Sequence, residues 1–173
     1  MGADGGEARS QTGGLMSNPI ACKINGRTVA TSAPATMLLS DFLRDAEGLT
    51  GTRVACAEGV CGSCTVIVDG ETVRSCLMLA AQCDGGEIET IEGVAAGERF
   101  EEIREAFLRR NALQCGFCTP GFVITITAMI RDDAREPLSD AEIDSRLSSV
   151  ACRCTGYAPI IAAARELLGR GRA

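Results

Sequence analysis

Histidine and tryptophan are both absent from the 173 residues. Without histidine the chain has no imidazole for acid–base catalysis near neutral pH and no mixed cysteine/histidine zinc site. Aromatics amount to five Phe and one Tyr, so the cores are aliphatic and little is available to stack on bases. Positive charge is short as well: 17 Lys and Arg against 23 Asp and Glu leave a formal charge of −6. That balance opposes binding to nucleic-acid phosphates. No apolar run approaches the roughly 20 residues that span a bilayer. The start, MGADGGEARSQTGGLMSNP, has neither the basic nor the apolar region of an export signal. A soluble, globular, cytoplasmic chain is the expectation.

Cysteine is what the chain has in excess: ten residues. In a short secreted protein an even count suggests disulfides, but this chain has ample aliphatic residues and no export signal, so reduced thiolates holding metal are favoured. Residues 1–18, rich in Gly, Ser and charge without a periodic apolar face, read as a flexible tail. From residue 19 the pattern is β. ACKI and RTVA flank Asn25-Gly26, TVIV and TVRSCLM flank Asp69-Gly70, and EIETI forms a closing strand over 87–91. One helix over Thr36–Arg44 sets Met37, Leu38 and Phe42 at helical spacing. Past Ile91 the apolar period changes from 2 to 3.6, and EGVAAG (92–97) reads as the join between domains. Four stripes follow, Phe100/Ile103/Phe107, Phe122/Ile126/Met129/Ile130, Ile143/Leu147/Val150 and Ile160/Ile161/Ala164/Leu167/Leu168, which predict a bundle of four short helices. The fold class is α+β, with domains at 19–92 and 93–173.

Eight cysteines fall into two sets. Cys56, Cys61 and Cys64 stand as C-x4-C-x2-C, and Cys76 follows across the hairpin TVIVDGETVRS. This is the spacing of plant-type 2Fe-2S ferredoxins. Two ferric ions, two sulfides and four thiolates carry about −2 in total and about −3 after one-electron reduction. Such an anion needs a loop with inward N–H groups, which Gly59 and Gly62 permit. In the second set, Cys115-x2-Cys118 runs into Thr119-Pro120 and Cys152-x-Cys154 runs into Thr155-Gly156-Tyr157, each pair opening a helix. Two helix N-termini would then direct their free N–H groups at one anionic cluster. Zinc ribbons generally use two CxxC pairs, which the first set does not resemble. Cys22 and Cys83 lie outside both sets and read as small apolar residues in or near strands.

CAEGVCGSCTVIVDG, VRSCLMLAAQ, TIEG, LQCGFCTPG and CRCTGY occur in this order over about residues 20–168. The chain thereby resembles the small iron–sulfur subunit of the molybdenum hydroxylases, the family of xanthine dehydrogenase, aldehyde oxidoreductase and carbon monoxide dehydrogenase. The resemblance implies a ferredoxin-like β-grasp domain followed by a four-helix domain, each with one 2Fe-2S cluster. It also implies an electron relay from a molybdopterin centre in a large subunit, through the helical-domain cluster and then the ferredoxin-like cluster, to FAD in a medium subunit or another acceptor. Gln114 and Cys154 inherit contacts with the pterin. The chain would contribute to an oxidoreductase without performing substrate chemistry itself. A freestanding two-cluster ferredoxin and a zinc-stabilised interaction module are the alternatives. Ala55 and Ser149-Val150-Ala151 depart from the family pattern; none is a ligand position, and they are where a different fit to the pterin would arise.

Overall fold

In the computed structural model, which describes residues 17–169, two hairpins supply most of a five-stranded sheet. Asn25 and Gly26 take φ of 51° and 78°, the paired left-handed conformation of a tight hairpin turn. They join β1 (Ser17–Ile24) to β2 (Arg27–Pro34), with Ser17 opposite Pro34 and Ile24 opposite Arg27. Asp69 and Gly70, at 50° and 90°, do the same for β3 (Thr65–Val68) and β4 (Glu71–Arg74). β1 begins two residues inside the segment read as a tail; the rest of that segment lies outside the described residues. β5 (Glu87–Glu89) enters between the hairpins, parallel to β1 and antiparallel to β3, giving the order β2-β1-β5-β3-β4.

Two expected strands are shorter than their apolar patterns. β5 ends before Thr90, whose N–H donates to Asn25 Oδ1 at 2.8 Å instead of to a neighbouring strand. β4 ends at Arg74, and the chain turns so that the Ser75 hydroxyl donates to the Cys64 carbonyl at 2.7 Å. The first helix is also displaced from its predicted start. Leu38 is extended and bridges to Leu79, so α1 (Leu39–Asp41) begins three residues after the predicted start and continues as a π-turn over Phe42–Ala46. The later start rotates the apolar face. Leu39, Phe42 and Leu43 fill the core, and Met37 is only half-buried.

Beyond the sheet lie α2 (Ile91–Ala95), α3 (Phe100–Arg109), α4 (Thr119–Asp133), α5 (Asp140–Ser148) and α6 (Ala158–Leu167). The expectation of four helices here omits α2, which occupies the segment read as a join. At five residues it is too short to show a period and carries Gly93 in its middle. α4 is buried continuously from Gly121 to Ile130, because it packs on β3 and β4 as well as on α2 and α5. α3 lies on α6, and α5 touches both α4 and α6. Ser139 caps α5, accepting the Glu142 N–H at 3.3 Å while Glu142 accepts the Ser139 N–H at 2.8 Å.

β3 explains how the two halves share a wall. Val66 and Val68 face the core of β1, β2, α1 and β5, whereas Ile67 faces the helical core. All four β3 residues are therefore buried, as expected for a strand covered on both faces. Among the described residues no helix is long and apolar enough to cross a membrane.

Candidate metal centres

The loop between the π-turn and β3 brings Cys56, Cys61 and Cys64 together, and the turn after β4 adds Cys76. Ala57, Gly59 and Gly62 take positive φ of 55°, 75° and 69°; the two glycines do so without steric cost. The folded loop turns backbone donors toward sulfur: Cys56 Sγ accepts the N–H groups of Glu58 and Cys61, each at 3.4 Å. The Cys61 N–H, followed by that of Glu58, holds the Cys56 thiol down at about 6. Cys64 and Cys76 form the inner side, 1% and 2% exposed. Burial, reinforced by the neighbouring Cys64 thiol, pushes Cys76 up to about 11.

The second set is more open. Cys118 immediately precedes α4, with Pro120 in the first turn, whereas α6 begins four residues after Cys154, behind Tyr157 at φ 68°. Cys115 Sγ lies 3.5 Å from Cys154 Sγ, and both residues are exposed. The Phe117 N–H and then the Cys154 thiol lower Cys115, while the Cys115 thiol raises Cys154. Burial and then the Cys152 thiol push Cys118 up to about 12. For Cys152, burial acts upward, but the Thr155 hydroxyl, 3.2 Å from Sγ, and the Thr155 N–H lead a set of donors that bring the net shift downward. Tyr157 accepts the Cys152 N–H at 2.9 Å and stacks edge-on to Phe122 of α4.

The arrangement of sulfurs carries chemical information. Among the described residues no three Cys, His, Asp or Glu side chains converge on one metal position. The thiols instead draw together in twos: Cys56 with Cys61, Cys64 with Cys76, Cys115 with Cys154 and Cys118 with Cys152. A mononuclear zinc site needs four donors around one ion. Two pairs per site, all cysteine sulfur and with backbone N–H groups directed at Cys56 and Cys152, fit a dinuclear cluster with two sulfur ligands on each metal.

The other predicted positions separate clearly. Gln114 is exposed beside Cys115, with Leu113 and Phe117 next to it at 40% and 44% exposure. Cys22 and Cys83 are buried in the sheet core, their thiols raised chiefly by burial, Cys83 to about 11. The two cysteine sets are also joined directly: the Ala151 N–H donates to the Cys61 carbonyl at 2.8 Å. Ser149-Val150-Ala151 therefore works at this junction, through main-chain atoms and the buried Val150. Sequence reasoning missed Thr155 as a sulfur donor and Ser75 and Arg74 as supports of the first loop; a single hydroxyl or guanidinium carries no spacing signal.

Residues 22–91 match the family described as 2Fe-2S iron-sulfur cluster binding domain, and residues 90–165 match the [2Fe-2S] binding domain family. Caffeine dehydrogenase subunit gamma of Pseudomonas sp. (strain CBB1) is 43% identical over 88% of this chain and 92% of its own. The xanthine dehydrogenase iron-sulfur-binding subunit of Escherichia coli O157:H7 is 43% identical over 82% of this chain and 89% of its own. The crystal structure of quinoline 2-oxidoreductase from Pseudomonas putida 86 superposes with a TM-score of 0.78 at 42% identity, covering 91% of this chain and 99% of that one. The paired thiols, the two successive 2Fe-2S domains and these full-length relatives place the chain in one family: it belongs to the small 2Fe-2S iron–sulfur subunits of the molybdenum hydroxylases, the iron–sulfur component of an oxidoreductase.

Proposed function

We propose that the chain relays electrons, one at a time, between two partner subunits. In this reading Cys115, Cys118, Cys152 and Cys154 hold a 2Fe-2S cluster that receives electrons from a molybdopterin centre in a large subunit. Cys56, Cys61, Cys64 and Cys76 hold a second cluster that passes them to FAD in a medium subunit or to another acceptor. Bound clusters would supply reversible one-electron storage. The chain's own residues bind them by thiolate, direct N–H groups at sulfur, and bury the inner pair Cys64 and Cys76 away from water. The proposed division places the ferredoxin-like domain at 19–92 and the helical domain at 93–173, with α3, α4, α5 and α6 as its four principal helices.

The observation that carries the relay is the Cys61–Ala151 hydrogen bond, which links a residue of one cysteine set to the neighbour of Cys152 in the other. For the large-subunit contact, the exposed group Leu113, Gln114, Cys115, Phe117 and Cys154 supports a docked partner. Large apolar side chains beside an exposed cysteine pair suit a covered surface better than that of a diffusing ferredoxin. Gln114 and Cys154 are the residues assigned to the pterin. The test is iron, zinc, acid-labile sulfide, molybdenum and pterin analysis of the anaerobically purified complex. About four iron and four sulfide per chain, red-brown colour and copurifying molybdopterin are the expected result. Zinc with no sulfide, or a stable complex without molybdenum or pterin, refutes it.

A further inference from the structure

Where the two cysteine loops meet stands a guanidinium. Arg74 ends β4, two residues before Cys76. Its Nη1 donates to Thr65 Oγ1 at 2.6 Å, and that hydroxyl donates to the Gly62 carbonyl at 2.5 Å. Its Nη2 donates to the Ser149 carbonyl at 2.6 Å, across 75 residues of chain. Thr65 directly follows Cys64, and Ser149 lies three residues before Cys152. One planar fork therefore touches the supports of both cysteine sets.

The main chains close tightly around it. A Cβ on Gly62 would lie 2.3 Å from the Ser149 oxygen, and one on Gly121 would lie 2.6 Å from the Gly62 oxygen. Arg74 is half-buried, and none of the ion pairs among the described residues includes it. It lines a cleft of about 450 Å³ with Ser149, Glu71 and Asp132. Asp132 is engaged by Arg146 at 2.5 Å, and Glu71 is exposed. A guanidinium stays protonated throughout the physiological range, so a cation without a carboxylate partner sits at the junction of two thiolate cages.

We propose that Arg74 is a positioning residue for electron passage. Its fork locks the Gly62 segment onto the Ser149 segment, which keeps the Cys61–Ala151 hydrogen bond short. With 2Fe-2S clusters held by the two cysteine sets, its charge would favour the reduced state of the nearer one. Reduction would add one electron from the reduced donor, with no bond made or broken and no proton required. An arginine suits the task better than a lysine for holding two acceptors in one plane, whereas either supplies the charge. The inference rests on the proposed cluster reading, and the experiment separates the two.

The full chain, purified with its partners, is titrated with dithionite under EPR after iron and sulfide analysis. Arg74→Gln retains a donor but removes the charge. It is expected to keep full iron and sulfide while the reduction equilibrium of at least one cluster falls on the order of tenfold, equivalent to about 59 mV for one electron. Arg74→Lys is expected to restore the potential while inter-cluster electron transfer, read by rapid freezing, stays slower than in the parent. Unchanged potentials in the Gln variant overturn the proposal, as does a Lys variant as low as Gln. If the Gln variant takes up no iron, the Lys variant decides: parental potentials with slowed transfer support the proposal, and parental transfer overturns it. Absence of iron and sulfide from the parent complex would instead refute the cluster reading itself.

Discussion

Replacing Gly62 with alanine tests the junction between the cysteine sites against a control in the same molecule. Gly62 has φ +69°, and an added Cβ would meet the Ser149 carbonyl oxygen at 2.3 Å and Val150 Cα at 3.0 Å. Both are backbone atoms and cannot swing aside. Gly26 has nearly the same backbone, φ +78°, but nothing within 4 Å of the added carbon. Holding alanine in the left-handed region costs about 1–2 kcal/mol at either position. Overpacking adds about 1–3 kcal/mol at Gly62 alone, so Gly62→Ala loses about 2–5 kcal/mol where Gly26→Ala loses about 1–2. For a chain of this length each kcal/mol moves the thermal midpoint by about 2–4 °C. Thermal unfolding of the two iron-loaded variants, followed by circular dichroism under identical conditions, reads the difference. Because bound clusters compromise two-state behaviour, the contrast between the variants is the measured quantity. Displacement of Ser149 also lengthens the Cys61–Ala151 hydrogen bond, so electron transfer between the clusters slows in Gly62→Ala and not in Gly26→Ala. Equal losses in both variants would refute the close approach of the two segments.

Three further outcomes are expected. Cys115→Ser removes the helical cluster and leaves the ferredoxin-like one, so iron falls from about four to about two per chain with one EPR signal retained; loss of both signals would show that the cages are not independent. In the metal-free chain, the Cys56 thiol, held at about 6, is mostly thiolate at neutral pH, whereas Cys118 at about 12 is not. Iodoacetamide therefore labels Cys56 well ahead of Cys118, and Cys56 labelling falls as pH drops through 6; mass spectrometry showing Cys118 labelled as fast contradicts the assignment. Gln114→Ala retains both clusters but lowers the molybdenum and pterin retained by the complex, and unchanged content with unchanged turnover would make Gln114 a bystander.

Local rules made much of the first half legible. Asn25-Gly26 and Asp69-Gly70 mark hairpin turns because those residue pairs tolerate the left-handed backbone that the turns require. The glycines within the Cys56–Cys61–Cys64 spacing mark a tightly curved loop, and Gly59 and Gly62 take positive φ there. The α3 stripe of Ile103 and Phe107 is buried at the predicted period. Less legible were features set by distant partners. The Leu38–Leu79 bridge shifts the start of α1, so Leu39 and Leu43 replace Met37 and Leu38 as its core face. α2 is too short for a periodic signal, and its Ile91 and Val94 gain meaning only against the helical core.

The sequence by itself determined which atoms are available for chemistry: thiolates in two sets of four, with no imidazole to compete, and glycines at the points of tightest curvature. Spacing suffices for this because each set consists of segments whose local turns are dictated by neighbouring residues. Tertiary structure decided how the sets face each other. Placement of β5 between the hairpins, burial of β3 on both faces and contact of Gly62 with Gly121 and Ser149, 59 and 87 residues further along the chain, all depend on distant segments. Closing such distances costs chain entropy that only the shared core offsets, so no local pattern records the Cys61–Ala151 link or the Arg74 fork beside it.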